Sequence, residues 1–223
     1  MRSVTFTVKS LALLPAQLMV AGLCWLMPMT AAQALPEGGL AQADVELQVS
    51  ELTDAQKEAL GKLLQTAQQH VDNENYAAAI AAYQQALTID RENAKLYSGI
   101  GYLQILRGDF QLAVESYRQA IDRDSRNVSF RYGLAHSLYQ AERYAEAADA
   151  YRAITRMAPG EANAFLGLGN MLLTLEDYGA ALNAMEEAAR LAPNKVQVYE
   201  AIGLLYLQQE EYDQALRPLQ RAL

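Results

Sequence analysis

Residues 162–195 read ANAFLGLGNMLLTLEDYGAALNAMEEAARLAPNK, and the pattern of this stretch recurs along the chain every 34 residues. An alanine column, an aromatic column and a bulky column keep this period. They hold Ala79, Ala113, Ala147, Ala181 and Ala215; Tyr76, Phe110, Tyr144, Tyr178 and Tyr212; and Tyr83, Tyr117, Tyr151, Met185 and Leu219. A period between about 20 and 50 residues is typical of stacked supersecondary units. The sequence therefore predicts a repeat protein.

A second column of small residues predicts how each unit is built. It holds Ala67, Gly101, Ala135, Gly169 and Gly203. Two helices can approach closely only where neither has a large side chain, so the small columns mark a helix crossing. Mostly polar stretches such as residues 140–143 lie between the two small columns and suit a helix-to-helix turn. The second helix of a unit is predicted to end near Asp90, Asp124, Ala158 or Ala192.

This pattern resembles the tetratricopeptide repeat family, whose units carry Trp, Leu-Gly, Tyr, Ala, Phe and Pro at set offsets. Phe165, Leu168-Gly169, Tyr178, Ala181 and Pro193 fit the family pattern, and the first unit fits it least. The resemblance implies an all-α, right-handed α-solenoid of stacked helix-turn-helix units. Five units are assigned, at residues 60–93, 94–127, 128–161, 162–195 and 196–223, within a repeat domain of residues 53–223.

The start of the chain has the features of an export signal. Arg2 and Lys9 precede an uncharged stretch that continues to Pro36, and Ala32-Gln33-Ala34 supplies a signal-peptidase pattern. We predict a signal peptide of residues 1–34 and a spacer of residues 35–52. Export by this signal would place the mature protein in the periplasm or an equivalent lumen. The alternative is an uncleaved membrane anchor that holds the repeats in the same compartment.

The charge of the chain argues against nucleic acid as a partner. Arg2 and Lys9 are the only charged side chains in residues 1–34, so cleavage takes the formal net charge from −8 to −10. Phosphate binding needs clustered Lys and Arg on one face, and the basic residues here are scattered among carboxylates.

In tetratricopeptide repeat proteins, the first helix of each unit lines a concave groove that binds protein segments. The resemblance implies the partner-binding residues Tyr102, Ile105, Tyr132, His136, Tyr139, Leu166, Asn170 and Leu173. Some family members hold a C-terminal carboxylate with Lys, Arg and Asn, but that set is missing here. A partly apolar protein or peptide segment is therefore the expected ligand. The alternative is that several of these residues only pack between adjacent units.

The sequence gives no sign of catalysis. The two histidines, His70 and His136, lie in different units, and no second histidine or cysteine completes a metal site. We therefore predict no catalytic residues, no metal and no cofactor. We expect an exported, non-enzymatic scaffold, such as an assembly factor for an envelope or membrane complex. The alternatives are the N-terminal recognition domain of a longer enzyme or secretion machine, and a membrane-tethered organiser.

The last predicted helix has an apolar face of the kind that the first helix of a following unit covers in this family. Tyr212, Leu216, Leu219 and Leu223 form this face, and Pro218 interrupts the hydrogen-bonding pattern of the same helix. Three interpretations remain open: the native chain continues, the face serves self-association through Leu216, Leu219 and Leu223, or the helix frays.

Overall fold

A computed structural model describes residues 52–223, and these residues form ten α-helices without a strand. The helices are α1 (Asp54–Asp72), α2 (Tyr76–Ile89), α3 (Ala94–Arg107), α4 (Phe110–Arg123), α5 (Val128–Gln140), α6 (Tyr144–Met157), α7 (Ala162–Thr174), α8 (Tyr178–Leu191), α9 (Val196–Gln208) and α10 (Tyr212–Arg221). The predicted signal peptide, and the predicted spacer except Leu52, lie outside the described residues. We call α1, α3, α5, α7 and α9 the first helices, and α2, α4, α6, α8 and α10 the second helices.

Short polar side chains begin several of the helices. A capping box begins α1: the Gln56 backbone N–H donates to Thr53 Oγ1 over 3.3 Å, and the Thr53 N–H donates to Gln56 Oε1 over 2.9 Å. Asn75, Asn93 and Asn127 accept backbone N–H groups at the starts of α2, α3 and α5. These contacts satisfy donors that a helix start leaves unpaired.

The second helices end where the sequence predicts. The residues that cap α2, α4, α6 and α8 at their C-terminal ends are Asp90, Asp124, Ala158 and Ala192. The helix α10 contains Pro218 and continues past it to Arg221. The 34-residue period therefore places both the hairpins and the breaks between them correctly.

Small residues occupy the helix crossings. Ala79, Ala113, Ala147 and Ala181 are 0% exposed, and Ala215 is 1% exposed. Each helix packs against the helix that follows it along the chain, within a unit and between units. This order of contacts is that of a solenoid, in which each unit is covered by its neighbours.

The contacts between units also show which side of the array is the inner one. The first helices α3 and α5 contact each other directly, as do α7 and α9, whereas second helices of consecutive units make no comparable contact in residues 52–223. Because the first helices approach more closely than the second helices, the array curves with its first helices on the concave side. The surface of the first helices is therefore the candidate binding surface.

Candidate functional site

The predicted partner-binding residues lie on the consecutive first helices α3, α5 and α7. Tyr102 and Ile105 of α3 are half-buried, and so are Tyr132, His136 and Tyr139 of α5. A half-buried side chain is fixed by packing on one side and open on the other. These five side chains therefore keep surface that a partner segment can contact.

The residues that the sequence predicts on α7 are divided by the structure. Leu166 is 5% exposed and Leu173 is 1% exposed, so both pack in the central core and present little surface to a ligand. Asn170 of the same helix is half-buried. For Leu166 and Leu173 the structure thus supports the packing alternative, while Asn170 keeps surface for a partner.

Aromatic pairs give the centre of this surface its shape. The rings of Tyr132 and Tyr151 meet edge to face, with centroids 6.1 Å apart and an interplanar angle of 73°. The rings of Tyr139 and Tyr144 lie 5.8 Å apart at 54°. The two rings of such a pair contribute stability in addition to that from the apolar area they bury. The tyrosines of α5 are therefore held in place by second-helix tyrosines of their own unit.

Second-helix tyrosines also set how closely consecutive units approach. A Cβ added to Gly133 would lie 2.2 Å from the ring of Tyr117, and one added to Gly167 would lie 2.4 Å from the ring of Tyr151. Each ring therefore fits only because the next first helix has no side chain at that place. The contact brings α5 against α4, and α7 against α6.

These tyrosine contacts of Gly133 and Gly167 were not predicted from the sequence, nor was that of Gly99, where an added Cβ would lie 3.2 Å from the ring of Tyr83. The signal was present, because each of these glycines follows a tyrosine of the preceding unit by 16 residues. In the next unit both members of the tyrosine–glycine pair are replaced: Met185 takes the place of the tyrosine, and Ala201, 16 residues later, takes the place of the glycine.

Burial perturbs two titratable groups on this surface. Burial lowers the pKa of the His136 imidazole below its usual value, so the neutral ring, with one donor and one acceptor, is favoured at neutral pH. Burial, with smaller contributions from Glu161 and Tyr151, raises the pKa of Tyr132. The neutral His136 ring therefore offers hydrogen-bonding groups without net charge, whereas the Tyr132 hydroxyl is itself buried.

One group of ion pairs lies on the second helices α4 and α6. Arg118 of α4 contacts Glu146 of α6 over 2.9 Å, and Arg143 contacts the same carboxylate over 2.7 Å. The Arg143 hydrogen bond is the first cause that holds the pKa of Glu146 below its usual value. The Arg118–Glu146 pair connects the second helices of two consecutive units, whereas the Arg143–Glu146 pair lies at the start of α6.

Two further properties bear on what the repeat array can do. In residues 52–223, no three His, Cys, Asp or Glu side chains are grouped so that they could hold a metal ion. None of the helices α1 to α10 combines the length and the apolar composition needed to cross a bilayer.

Comparisons with known proteins identify the repeat. A family model described as tetratricopeptide repeat matches residues 64–128, 100–162, 132–196 and 166–223. A comparison with curated proteins gave no match.

Solved structures show the same fold at low sequence identity. A crystal structure of MamA protein is 22% identical with a TM-score of 0.69, and the match covers 75% of this chain and 91% of that one. YrrB, described as a TPR protein with an unusual peptide-binding site, is 19% identical with a TM-score of 0.63, over 76% and 91% of the two chains. The pilF protein of Pseudomonas aeruginosa is 24% identical with a TM-score of 0.60, over 75% and 77%.

Proposed function

The chain belongs to the tetratricopeptide repeat family, and we propose that it is an exported, non-enzymatic scaffold that holds a protein partner on its concave surface. The observation that carries this proposal is the uncharged, half-buried aromatic surface of α3 and α5, which contains Tyr102, Tyr132, His136 and Tyr139. The peptide-binding site in the description of YrrB supports the same use of this fold.

The chemistry of the surface indicates the kind of segment that it binds. Tyrosine offers a large contact area at a small entropic cost, and it often carries much of the binding energy at interfaces. Neutral His136 and the Asn170 amide add donors and acceptors without charge. A partly apolar segment whose backbone or amide groups meet these side chains is therefore the best-fitting ligand.

Export is the second part of the proposal, and the pattern of residues 1–34 supports it. Signal cleavage after Ala34 leaves Leu35 as the first residue of the mature chain. Mass spectrometry of the native protein tests this directly. A mature chain that keeps residues 1–34 would favour the anchored alternative instead. We further propose that the partner is a component of an envelope or membrane complex and that this protein takes part in its assembly.

Affinity capture from an envelope extract tests the binding surface. The bait is residues 35–223, compared with a Tyr102→Ala/Tyr139→Ala variant and with Leu112→Ala, which changes an exposed apolar residue of the second helix α4. Circular dichroism first establishes that all three baits are helical. We expect the same partner with the unchanged bait and Leu112→Ala, and its loss with the tyrosine variant.

Two outcomes would contradict the proposal. Identical capture by all three baits would place binding outside the concave surface. Failure of the unchanged bait to retain any protein above background would argue against a scaffold function in that extract.

A further inference from the structure

The floor of the concave surface carries no formal charge across three consecutive units. We call its half-buried side chains the concave floor: Tyr102, Ile105, Tyr132, His136, Tyr139 and Asn170, on α3, α5 and α7. None of them is an acid or a permanent cation, and burial lowers the pKa of His136 so that its ring is neutral at neutral pH. A charged ligand group on this floor would lose water without gaining a counter-charge. The floor is therefore complementary to an uncharged segment.

The concave floor also offers hydrogen-bond donors. Tyr102, His136 and Asn170 form no side-chain hydrogen bond within residues 52–223. The Tyr102 hydroxyl, the His136 ring and the Asn170 amide can each donate, and the three residues lie on three successive first helices. Tyr132 differs, because its hydroxyl is buried, so it offers its ring alone. A ligand on the floor thus meets aromatic rings together with donors.

The spacing of the first helices limits the conformation of the ligand. Packed helices lie about 8–10 Å apart, and Cα atoms of α3 and α5 approach within 8 Å. A segment that crosses the first helices must therefore present the same side about every 9 Å. A polyproline II helix does so, because it rises about 3.1 Å per residue with about three residues per turn. One ligand residue in each turn then faces one first helix.

Other ligand conformations match the concave floor less well. The side chains of a β-strand return to the same side after about 6.6–6.8 Å, which is out of step with the first helices. An α-helix uses its backbone carbonyls internally, so the donors of Tyr102, His136 and Asn170 would meet no backbone acceptor. A polyproline II segment has no internal hydrogen bonds, which leaves its carbonyls free to accept from these donors.

We propose that the concave floor binds an uncharged, proline-rich segment of a partner protein in the polyproline II conformation. This inference rests on the proposed function, because it names the ligand of the same surface. Proline has no N–H and favours this conformation before binding, so the segment needs no acceptor from the floor and loses little entropy. Its rings pack on the tyrosine rings, which is how aromatic-lined grooves hold such segments.

The chain itself is a poor source of this segment. After the predicted cleavage, residues 35–51 contain one proline, Pro36, and the carboxylates Glu37, Asp44, Glu46 and Glu51, which a neutral floor disfavours. The floor is also central in the array. Because each unit covers only its neighbours, any further unit after α10 would leave the floor of α3, α5 and α7 open.

Labelled peptides test the ligand chemistry. The probe is fluorescein-labelled decaproline. Its controls are a glycine–serine peptide of equal length and a decaproline whose central prolines are replaced by aspartate. Fluorescence anisotropy measures the binding of each peptide to residues 35–223. We expect each control to bind about tenfold more weakly or worse, because the first must be ordered on binding and the second places charge on a neutral floor.

Protein variants locate the binding. Tyr102→Ala/Tyr139→Ala removes two rings of the concave floor, whereas Leu112→Ala changes an exposed residue of α4. Circular dichroism first establishes that each variant is helical. We expect the double variant to lose measurable decaproline binding and Leu112→Ala to retain it. Tyr102→Phe keeps the ring and removes the donor, so it should weaken binding about threefold.

Four results would overturn the proposal. Absence of decaproline binding by the unchanged protein would remove the ligand class. Equal binding of the glycine–serine peptide would contradict the preference for polyproline II, and equal binding of the aspartate peptide would contradict the neutral floor. Unchanged binding by a helical Tyr102→Ala/Tyr139→Ala variant would place the peptide elsewhere.

Affinity capture separates this proposal from the proposed function. Capture of a partner that depends on Tyr102 and Tyr139, without binding of decaproline, would overturn the ligand chemistry and leave the scaffold function standing. Binding of decaproline on the concave floor, without any captured partner, would support the ligand chemistry and contradict the scaffold function in that extract.

Discussion

The hydroxyl oxygen of Tyr132 is buried and has no hydrogen-bond partner in residues 52–223. A buried polar group without a partner costs about 1–3 kcal/mol, whereas one that donates to a carbonyl is compensated. Tyr199 is the compensated case, because its hydroxyl donates to the Pro193 carbonyl over 2.9 Å. Of these two first-helix tyrosines, Tyr132 has a hydroxyl group that destabilises the fold, whereas Tyr199 has one that stabilises it.

We expect Tyr132→Phe to raise the free energy of unfolding by about 1 kcal/mol, because it removes the unpaired hydroxyl and keeps the ring. The control Tyr199→Phe should lower it by about 1 kcal/mol, because it leaves the Pro193 carbonyl without this donor. Urea denaturation followed by circular dichroism measures both. A clear loss of stability in Tyr132→Phe would show that its hydroxyl has a stabilising partner.

The imidazole of His136 should titrate below its usual value of about 6.5, since burial disfavours the charged ring. The unfolded chain then binds a proton more readily than the folded one, so the stability contributed by neutral His136 is present above about pH 6.5 and falls on acidification. NMR titration of the ring protons measures the pKa, with His136→Gln assigning the signal. A pKa at or above the usual value would contradict the burial argument.

Individual residues of the candidate site show what could be predicted from the sequence and what could not. The repeat period placed Tyr102, Tyr132 and Tyr139 on consecutive first helices, because identical offsets in a solenoid occupy equivalent places. It did not separate these tyrosines from Leu166 and Leu173, which occupy equivalent offsets but are buried. Burial at one offset depends on the side chains of the neighbouring units, and a period contains no information on that packing.

At the scale of helices, the tyrosine–glycine contacts fix the distance between units. The Tyr117 ring is held on two sides, because a Cβ at Gly101 would lie 2.9 Å from it and one at Gly133 would lie 2.2 Å from it. The ring cannot move away from an added methyl group at one glycine without approaching the other helix. Substitution at Gly133 must therefore push α5 away from α4.

We expect Gly133→Ala to lower the free energy of unfolding by about 1–3 kcal/mol through overpacking. The matched control is Gly61→Ala in α1, where an added Cβ meets nothing within 4 Å. That change should raise stability by up to about 1 kcal/mol, because alanine has the higher helix propensity. Thermal or urea denaturation compares the two, and stabilisation by both would show that the Tyr117 ring has room to move.

The turns inside the units contain a strain that the polar composition of those turns did not predict. Glu74, Glu142, Glu176 and Glu210 have φ between 55° and 61°, and Gly108 has φ 81° at the equivalent place. Left-handed backbone is unfavourable for residues with a Cβ. Only Gly108 carried a sequence signal for this conformation, because glutamate has no preference for it.

We expect Glu142→Gly to raise the free energy of unfolding by about 0.5–1 kcal/mol, as relief of the left-handed strain exceeds the added entropy of the unfolded chain. The reciprocal change Gly108→Ala should lower it by a similar amount. Urea denaturation tests the pair. A loss of stability in Glu142→Gly would mean that the glutamate side chain makes a compensating contact in the turn.

At the scale of the whole molecule, stability should vary along the array, because each unit is supported mainly by its neighbours. The central core cluster joins residues from α4 to α9. In contrast, Ala215 is the only residue of α10 that is buried. The curvature that places the first helices on the concave side also follows from contacts between neighbouring units. The 34-residue period therefore predicted the helical hairpins, but not which of their sides are exposed and which are buried.

Hydrogen exchange should therefore show the weakest amide protection in α10 and the strongest in α5 to α7, since local opening of an end unit breaks one interface while opening of a central unit breaks two. Mass spectrometry of exchanged peptides measures this gradient. Gly133→Ala is a useful comparison, because it should lower protection in the centre while leaving α10 the least protected helix. Uniform protection from α1 to α10 would contradict the expectation that each unit is stabilised mainly by its neighbours. It would show that the array opens only as one cooperative unit.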